Sequence, residues 1–254
     1  LIQYALMKQK EFQTKDSLVI NMISTAFVRN NNYNILKNPS YEVAYKELTF
    51  ENMSSLAEAY KINVLCEDEV AVDYLKKIIS SRNILKKIDF LHDMDSDNKG
   101  TSCITYKKLI KNGEKLLENS IVVFDSEVDL EDIKGKKASY IQLPSRYNMP
   151  LEKEIVKYIH DLPGDDKFFF KFDKERDSFL NDFSRYGLKD YSVETLKKES
   201  VSKFKNWAKS DKKFKQYVNY FTKNNMDIME PFFEEFIEIM NEKLERKSLP
   251  KITI

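Results

Sequence analysis

The chain has 254 residues, 42% of them hydrophobic with 17 Phe and 14 Tyr, which suffices for one large domain or two small ones and excludes general disorder. Its 42 Lys and Arg against 41 Asp and Glu leave a net charge of +1, excluding a strongly basic protein but not a locally basic surface. With 5 Gly and 6 Pro, long elements and few tight turns are expected, so β-sandwiches and glycine-rich phosphate loops are disfavoured. Cys66 and Cys103 are too few for a disulfide framework or an unaided zinc site, so a reducing, cytoplasmic setting is the expectation. No apolar run approaches the roughly 20 residues of a membrane span, and no membrane is expected. The opening Leu1-Ile2-Gln3 lacks Met and a signal pattern and reads as a piece of something longer.

Apolar spacing predicts a helix from Leu1 to about Phe12, and the run Leu18 to Ile23 a buried strand. Asn30-Asn31-Asn32 and Asn38-Pro39-Ser40 mark loops, and Met53 to Ala59 reads as helical. From residue 61 a rhythm sets in: a strand Ile62–Cys66, a helix Val70–Ile79, a strand Ile88–Leu91, then an acidic loop to Gly100. A helix over Tyr106–Leu117 follows, with Leu109, Ile110, Leu116 and Leu117 as its apolar positions. Next come a strand Ser120–Phe124, a strand Tyr140–Leu143 and a helix Leu151–Leu162 behind Pro150, where proline is well tolerated. Strands alternating with helices predict an α/β fold with a largely parallel sheet, and after about Asp165 the pattern turns helical to Leu249. Three segments are therefore expected: 1–60, an α/β domain over 61–165, and a helical extension over 166–254.

Open parallel sheets put their working sites outside the carboxyl ends of their strands. Two strands here end in acids, at Glu67-Asp68-Glu69 and at Asp125-Ser126-Glu127-Val128-Asp129. Crowded carboxylates repel one another and are normally neutralised by a hard cation such as Mg²⁺, which orients a phosphodiester and activates water. The competing reading is a set of solvated helix N-termini, where negative charge is favoured anyway. Other signals are weaker: Asp93, Asp95 and Asp97 fail as an EF-hand loop in either register, and His92 and His160 have no evident partner.

Val64-Leu65-Cys66-Glu67-Asp68-Glu69-Val70-Ala71 resembles the first motif of a TOPRIM domain, and Val122-Val123-Phe124-Asp125-Ser126-Glu127 resembles its second, usually Asp-x-Asp. Gly100-Thr101-Ser102 is similar to the family's middle segment, and Leu143-Pro144 with Pro150-Leu151-Glu152 to a Leu-Pro…Pro-Glu segment of the OLD (overcoming lysogenization defect) ATPase-nucleases. The resemblance covers about 61–165. It implies a TOPRIM-like sheet and an endonuclease that cuts DNA with Mg²⁺ or Mn²⁺ held by Glu67, Asp125, Glu127, Asp129 and Glu152. It also implies an ATPase module in the same or another chain, a homo-oligomer or defence complex as the assembly, and bacterial anti-phage defence as the setting. ATP would act only through that module, because no Gly-x-x-x-x-Gly-Lys-Ser/Thr loop occurs here. Met22-Ile23-Ser24-Thr25-Ala26 is similar to the γ-phosphate-sensing turn of such ATPases, with Ala26 in the place of His. Three positions depart from the family pattern: Asp68 for Gly, Ala71 for Asp, and Glu127 for the second Asp. They favour the alternative, a catalytically weakened TOPRIM-like scaffold for assembly or nucleic-acid binding.

Residues 197 to 223 hold nine lysines against Glu199 and Asp211, a net of +7, while 226 to 247 reverse to −4 with seven acids against three bases. The stretch reads either as a phosphate-binding track or as one helix neutralising the next. The resemblance implies that a tail lysine assists at the scissile phosphate, with Lys203 the first candidate and Lys205 the second.

Overall fold

The computed structural model describes residues 21–24, 34–37, 61–92, 100–185, 187–246 and 251–253. The helices expected near 1–12 and 53–59, the first half of the strand from Leu18, the Ser24–Ala26 turn beyond its first residue, and Asp93, Asp95 and Asp97 lie outside them. Strand β1 (Asn21–Ser24) pairs antiparallel with β2 (Asn34–Lys37), a strand the sequence did not announce.

The main sheet contains β3 (Ile62–Cys66), β4 (Ile88–Leu91), β5 (Ser120–Phe124) and β6 (Tyr140–Gln142), in the order β4-β3-β5-β6 and parallel throughout. The α/β fold with a helical C-terminal region is thus observed. The side chains alternate between two cores, as the period of two along a strand demands. Ile62, Val64, Cys66, Ile121 and Val123 enter the larger core, whereas Leu65, Val122 and Phe124 enter the smaller.

Helix α1 (Glu69–Ile79) covers the first face through Ala71, Val72, Leu75 and Ile79. Asp68 starts it by accepting the Ala71 N–H at 3.0 Å, and Ser80 ends it in a left-handed conformation with φ 47°. A one-turn helix α2 (Arg82–Leu85) leads into β4. Helix α3 (Cys103–Asn112) lies on the second face with Tyr106 and Ile110 inward. It is shorter than its apolar spacing predicts: Gly113 ends it, and Glu114–Leu117 form a separate 3₁₀ turn. The change of pitch rotates Leu116 out to 76% exposure while Leu117 stays buried.

Helix α4 (Leu151–Asp161) returns to the first face, and the expected boundary near 165 falls between it and α5 (Lys167–Phe172). Then follow α6 (Arg176–Ser184), α7 (Val193–Lys198), α8 (Val201–Ser210), α9 (Phe214–Asn224) and α10 (Met226–Arg246). Their inward Phe179, Phe183, Phe204, Trp207, Phe214, Tyr217 and Phe221 belong to the same apolar core as α1, α4 and the sheet. Helices α9 and α10 pack on α1, and α10 also reaches β3 and β5, so the extension roofs one face of the sheet. No helix among the described residues is long and apolar enough to cross a membrane.

Candidate functional site

The strand order carries a consequence for where a ligand would sit. Counting along the chain, the sheet runs second, first, third, fourth, so the connections leave in opposite directions from the gap between β3 and β5. Such a switch point opens a crevice at the carboxyl ends of the two strands. Glu67 and Asp125 are the residues that follow those strands, and the Asp125 N–H donates to Glu67 Oε1 at 3.2 Å. The crevice is walled by Asp68, Ala71, Tyr74, Asp125, Leu143 and Glu152.

Three braces hold this edge. Gly100 crosses directly over the end of β3 at φ +81°, where a Cβ would collide with the Glu67 carbonyl oxygen, and the Thr101 N–H donates to that oxygen at 2.9 Å. Tyr106 Oη donates to the Cys66 carbonyl at 2.8 Å. The turn after β5 is gathered by Gln142 Nε2, which donates to the carbonyls of Asp125 (3.1 Å), Ser126 (2.7 Å) and Val128 (2.8 Å), while Ser126 Oγ donates to the Met149 carbonyl. Glu154 plays a similar part in the loop before α4, accepting from Ser145 Oγ at 2.6 Å and from the Arg146 N–H at 2.8 Å.

Glu67, Asp68, Asp125, Glu127 and Glu152 share one electrostatic neighbourhood. Burial, then the charges of Glu67, Asp68 and Glu127, push the Asp125 carboxyl well above its ordinary range, although the side chain is only partly enclosed. Burial and then Glu127 and Asp68 raise Glu67, against the hydrogen bond from the Asp125 N–H. Glu127 reaches solvent on one side, yet loss of water around its carboxyl raises it too. Glu152, only 3% exposed, is raised chiefly by burial. The opposing charge comes from Lys205 on α8, whose Nζ lies 2.9 Å from Asp68 Oδ2. Burial pulls this ammonium down, but Asp68, Glu152 and Asp125 outweigh burial and hold it above its usual value.

Two of the expected residues point elsewhere. Asp129 Oδ1 accepts the Glu131 N–H at 3.0 Å and its carbonyl accepts from Lys107 Nζ, so it closes the 3₁₀ turn Glu131–Ile133. Lys203 Nζ pairs with Glu199 one turn back at 2.8 Å, while Lys205, the second candidate, reaches the acids. The two are 200° apart around a helix of 3.6 residues per turn, so tertiary docking of α8 decides between them.

Two departures from the TOPRIM pattern acquire physical roles. Asp68 caps α1 with one oxygen and binds Lys205 with the other. Ala71 is 2% exposed and packs in the core, where a carboxylate would lose its water. Gln142 and Ser126 are positioning residues whose roles sequence reasoning missed; Gly100 was singled out there only as part of a segment similar to the family's middle one, without its role over β3.

Among the described residues no group of three or more His, Cys, Asp or Glu side chains is placed to hold a metal ion. The donors are nevertheless of the type a hard cation takes: carboxyl oxygens raised first by burial, with Glu67 and Asp125 raised further by neighbouring acids and with Lys205 opposing. Comparison with protein-family models, with curated proteins and with solved structures gave no match to this chain.

Proposed function

We propose that this chain is a metal-dependent phosphodiesterase module that cuts DNA, acting with an ATPase module in an OLD-like system of anti-phage defence. The observation that carries this reading is the seating of Glu67 and Asp125 side by side at the switch point of a parallel sheet, with their carboxyl groups held above the ordinary range. Glu67 and Asp125 would hold Mg²⁺ or Mn²⁺, with Glu127 at the open side. When bound, such a cation polarises a phosphoryl oxygen and lowers the pKa of a water.

The chain's own residues do the rest. Gly100 and Thr101 fix the backbone of Glu67, and Gln142 fixes that of Asp125, so the acids are set before substrate arrives. Lys205 offers an ammonium at the same edge, where negative charge builds on a phosphate under attack. Lys203 turns to Glu199 and has no such place. The scaffold alternative is favoured by one observation, the Lys205–Asp68 bridge, which already neutralises part of the cluster.

Asp125→Ala tests the reading. In an assay of plasmid DNA with Mn²⁺ or Mg²⁺ and the ATPase partner present, cleavage should fall by at least about 100-fold while circular dichroism stays unchanged. Cleavage that survives the substitution would exclude this site. A wild-type chain that binds DNA but never cuts it under those conditions would establish the scaffold.

A further inference from the structure

The basic stretch of the extension divides into lysines that the fold uses and lysines that it leaves outside. On α8 and α9, Lys205 binds Asp68, and Lys215 binds Asp73 at 2.6 Å and Glu69 at 3.4 Å. Both contacts run to the first turns of α1, beside Glu67. Lys213 turns the other way and donates to the Phe172 carbonyl at 2.6 Å. Asp211, the acid of the α8–α9 turn, is occupied by Lys174 Nζ at 3.0 Å, by Tyr217 Oη at 3.2 Å and by the Lys213 N–H at 2.8 Å. Lys197, Lys198, Lys209, Lys212 and Lys223 remain: all are exposed and none has an ion-pair partner among the described residues, and of these Lys209 and Lys212 lie between Lys205 and Lys215, the two lysines that reach α1. Lys209 stands four residues after Lys205 on the same face of α8, about 6 Å along the axis. Lys212 sits in the turn between α8 and α9, whose Lys205 and Lys215 flank it toward α1. The ion pairs of Lys205 and Lys215 run to Asp68, Glu69 and Asp73 at the start of α1 rather than to Glu234, Glu235 or Glu238 on α10, so their charge is not spent neutralising the next helix.

We infer that Lys209 and Lys212 form a ridge that holds the phosphate backbone of duplex DNA and leads it toward the Glu67–Asp125 edge. The inference takes its direction from the phosphodiesterase reading and is measured by binding alone. A backbone partner fits better than a membrane or an apolar peptide, because none of the large exposed apolar side chains among the described residues lies on α8 or α9. Lysine ammoniums act as point charges for phosphate and need no shaped pocket.

The test is fluorescence anisotropy of a labelled duplex DNA oligonucleotide, titrated with the full chain in EDTA buffer over a series of KCl concentrations. Each phosphate contact contributes a slope of about −0.9 to log K against log salt. The double variant Lys209→Gln/Lys212→Gln should therefore flatten the slope by about 2 and weaken binding at low salt. Lys86→Gln, at the amino end of β4 and so at the opposite end of the sheet, should leave the slope unchanged. No duplex binding by the wild type, an unaltered slope in the double variant, or an equal change in Lys86→Gln would overturn the ridge. Asp125-dependent cleavage combined with an unaltered slope sinks the ridge and leaves the phosphodiesterase standing. A slope that responds to Lys209 and Lys212 without cleavage under any divalent metal does the reverse.

Discussion

At the carboxyl edge of the sheet, burial and then neighbouring carboxylates raise Glu67 and Asp125, burial and then Asp68 raise Glu127, and the Lys205 ammonium opposes all three shifts. Where the helical extension meets α4 and the entry to β5, deeply buried charge is answered by backbone carbonyls. Lys153, 2% exposed, donates to the carbonyls of Glu199 at 2.7 Å and Lys197 at 3.3 Å and lies over the Phe204 ring. Lys243, also 2% exposed, donates to the Glu118 carbonyl at 2.8 Å and so ties α10 to the segment that enters β5. Burial lowers both ammoniums, yet each gains backbone acceptors otherwise unused at helix ends. At the sheet edge the answer is partial: Glu67 takes the Asp125 N–H and Asp68 takes the Ala71 N–H and Lys205, yet the Asp125 carboxyl stays well above its ordinary range. Carboxyls held raised at a crevice by burial and by neighbouring acids are the pattern expected of a binding site rather than of a structural ion-pair network.

The largest effect should come from breaking the answered side. Trp207 packs edge-on against Phe183 at 5.0 Å, Phe214 at 5.3 Å and Phe179 at 5.8 Å. Trp207→Ala should cost about 3–5 kcal/mol in chemical denaturation, since a cavity that size collapses only in part. A loss below about 1 kcal/mol would show that the aromatic cluster does not hold the extension together.

A smaller loss is expected where the chain crosses β3. Gly100→Ala puts a Cβ against the Glu67 carbonyl at a positive φ, so about 1–3 kcal/mol should be lost. The strand end must shift to relieve the clash, and cleavage should fall more than the stability change alone explains. An alanine variant with wild-type activity and stability would remove Gly100 from the positioning of Glu67.

The smallest effect has the opposite sign. Because burial and the neighbouring acids raise the folded-state pKa of Asp125, its ionisation costs stability that grows as pH climbs from the unfolded value of about 4 toward the raised one. Asp125→Asn removes that cost. Its Tm at pH 7 should be higher than wild type, and the difference should vanish as pH falls to about 4. A variant less stable than wild type at pH 7 would mean that the carboxylate is compensated and the edge is not repulsive.

The alternation of apolar strands and amphipathic helices was enough to read β3, β4, β5, β6, α1 and α4 nearly to the residue, because each buries a face whose period shows in the sequence. The strand ends at Glu67 and Asp125 were legible for the same reason: an acid that follows an apolar run marks where the sheet meets water. Helix α3 was misjudged in length because Leu116 and Leu117 continue its spacing past Gly113, and local backbone preference overrode the pattern.

What the sequence determined by itself was therefore the set of elements and the chemistry at their ends, since propensity and periodicity act over short distances. The order of the strands, the partner of each lysine and the braces from Gly100 and Gln142 were decided only in the tertiary structure. Lys203 and Lys205 are alike in type and nearly adjacent, and no local rule separates them. Packing of Phe204 and Trp207 into the core fixes the rotation of α8, and that rotation turns Lys205 to the acids and Lys203 to Glu199.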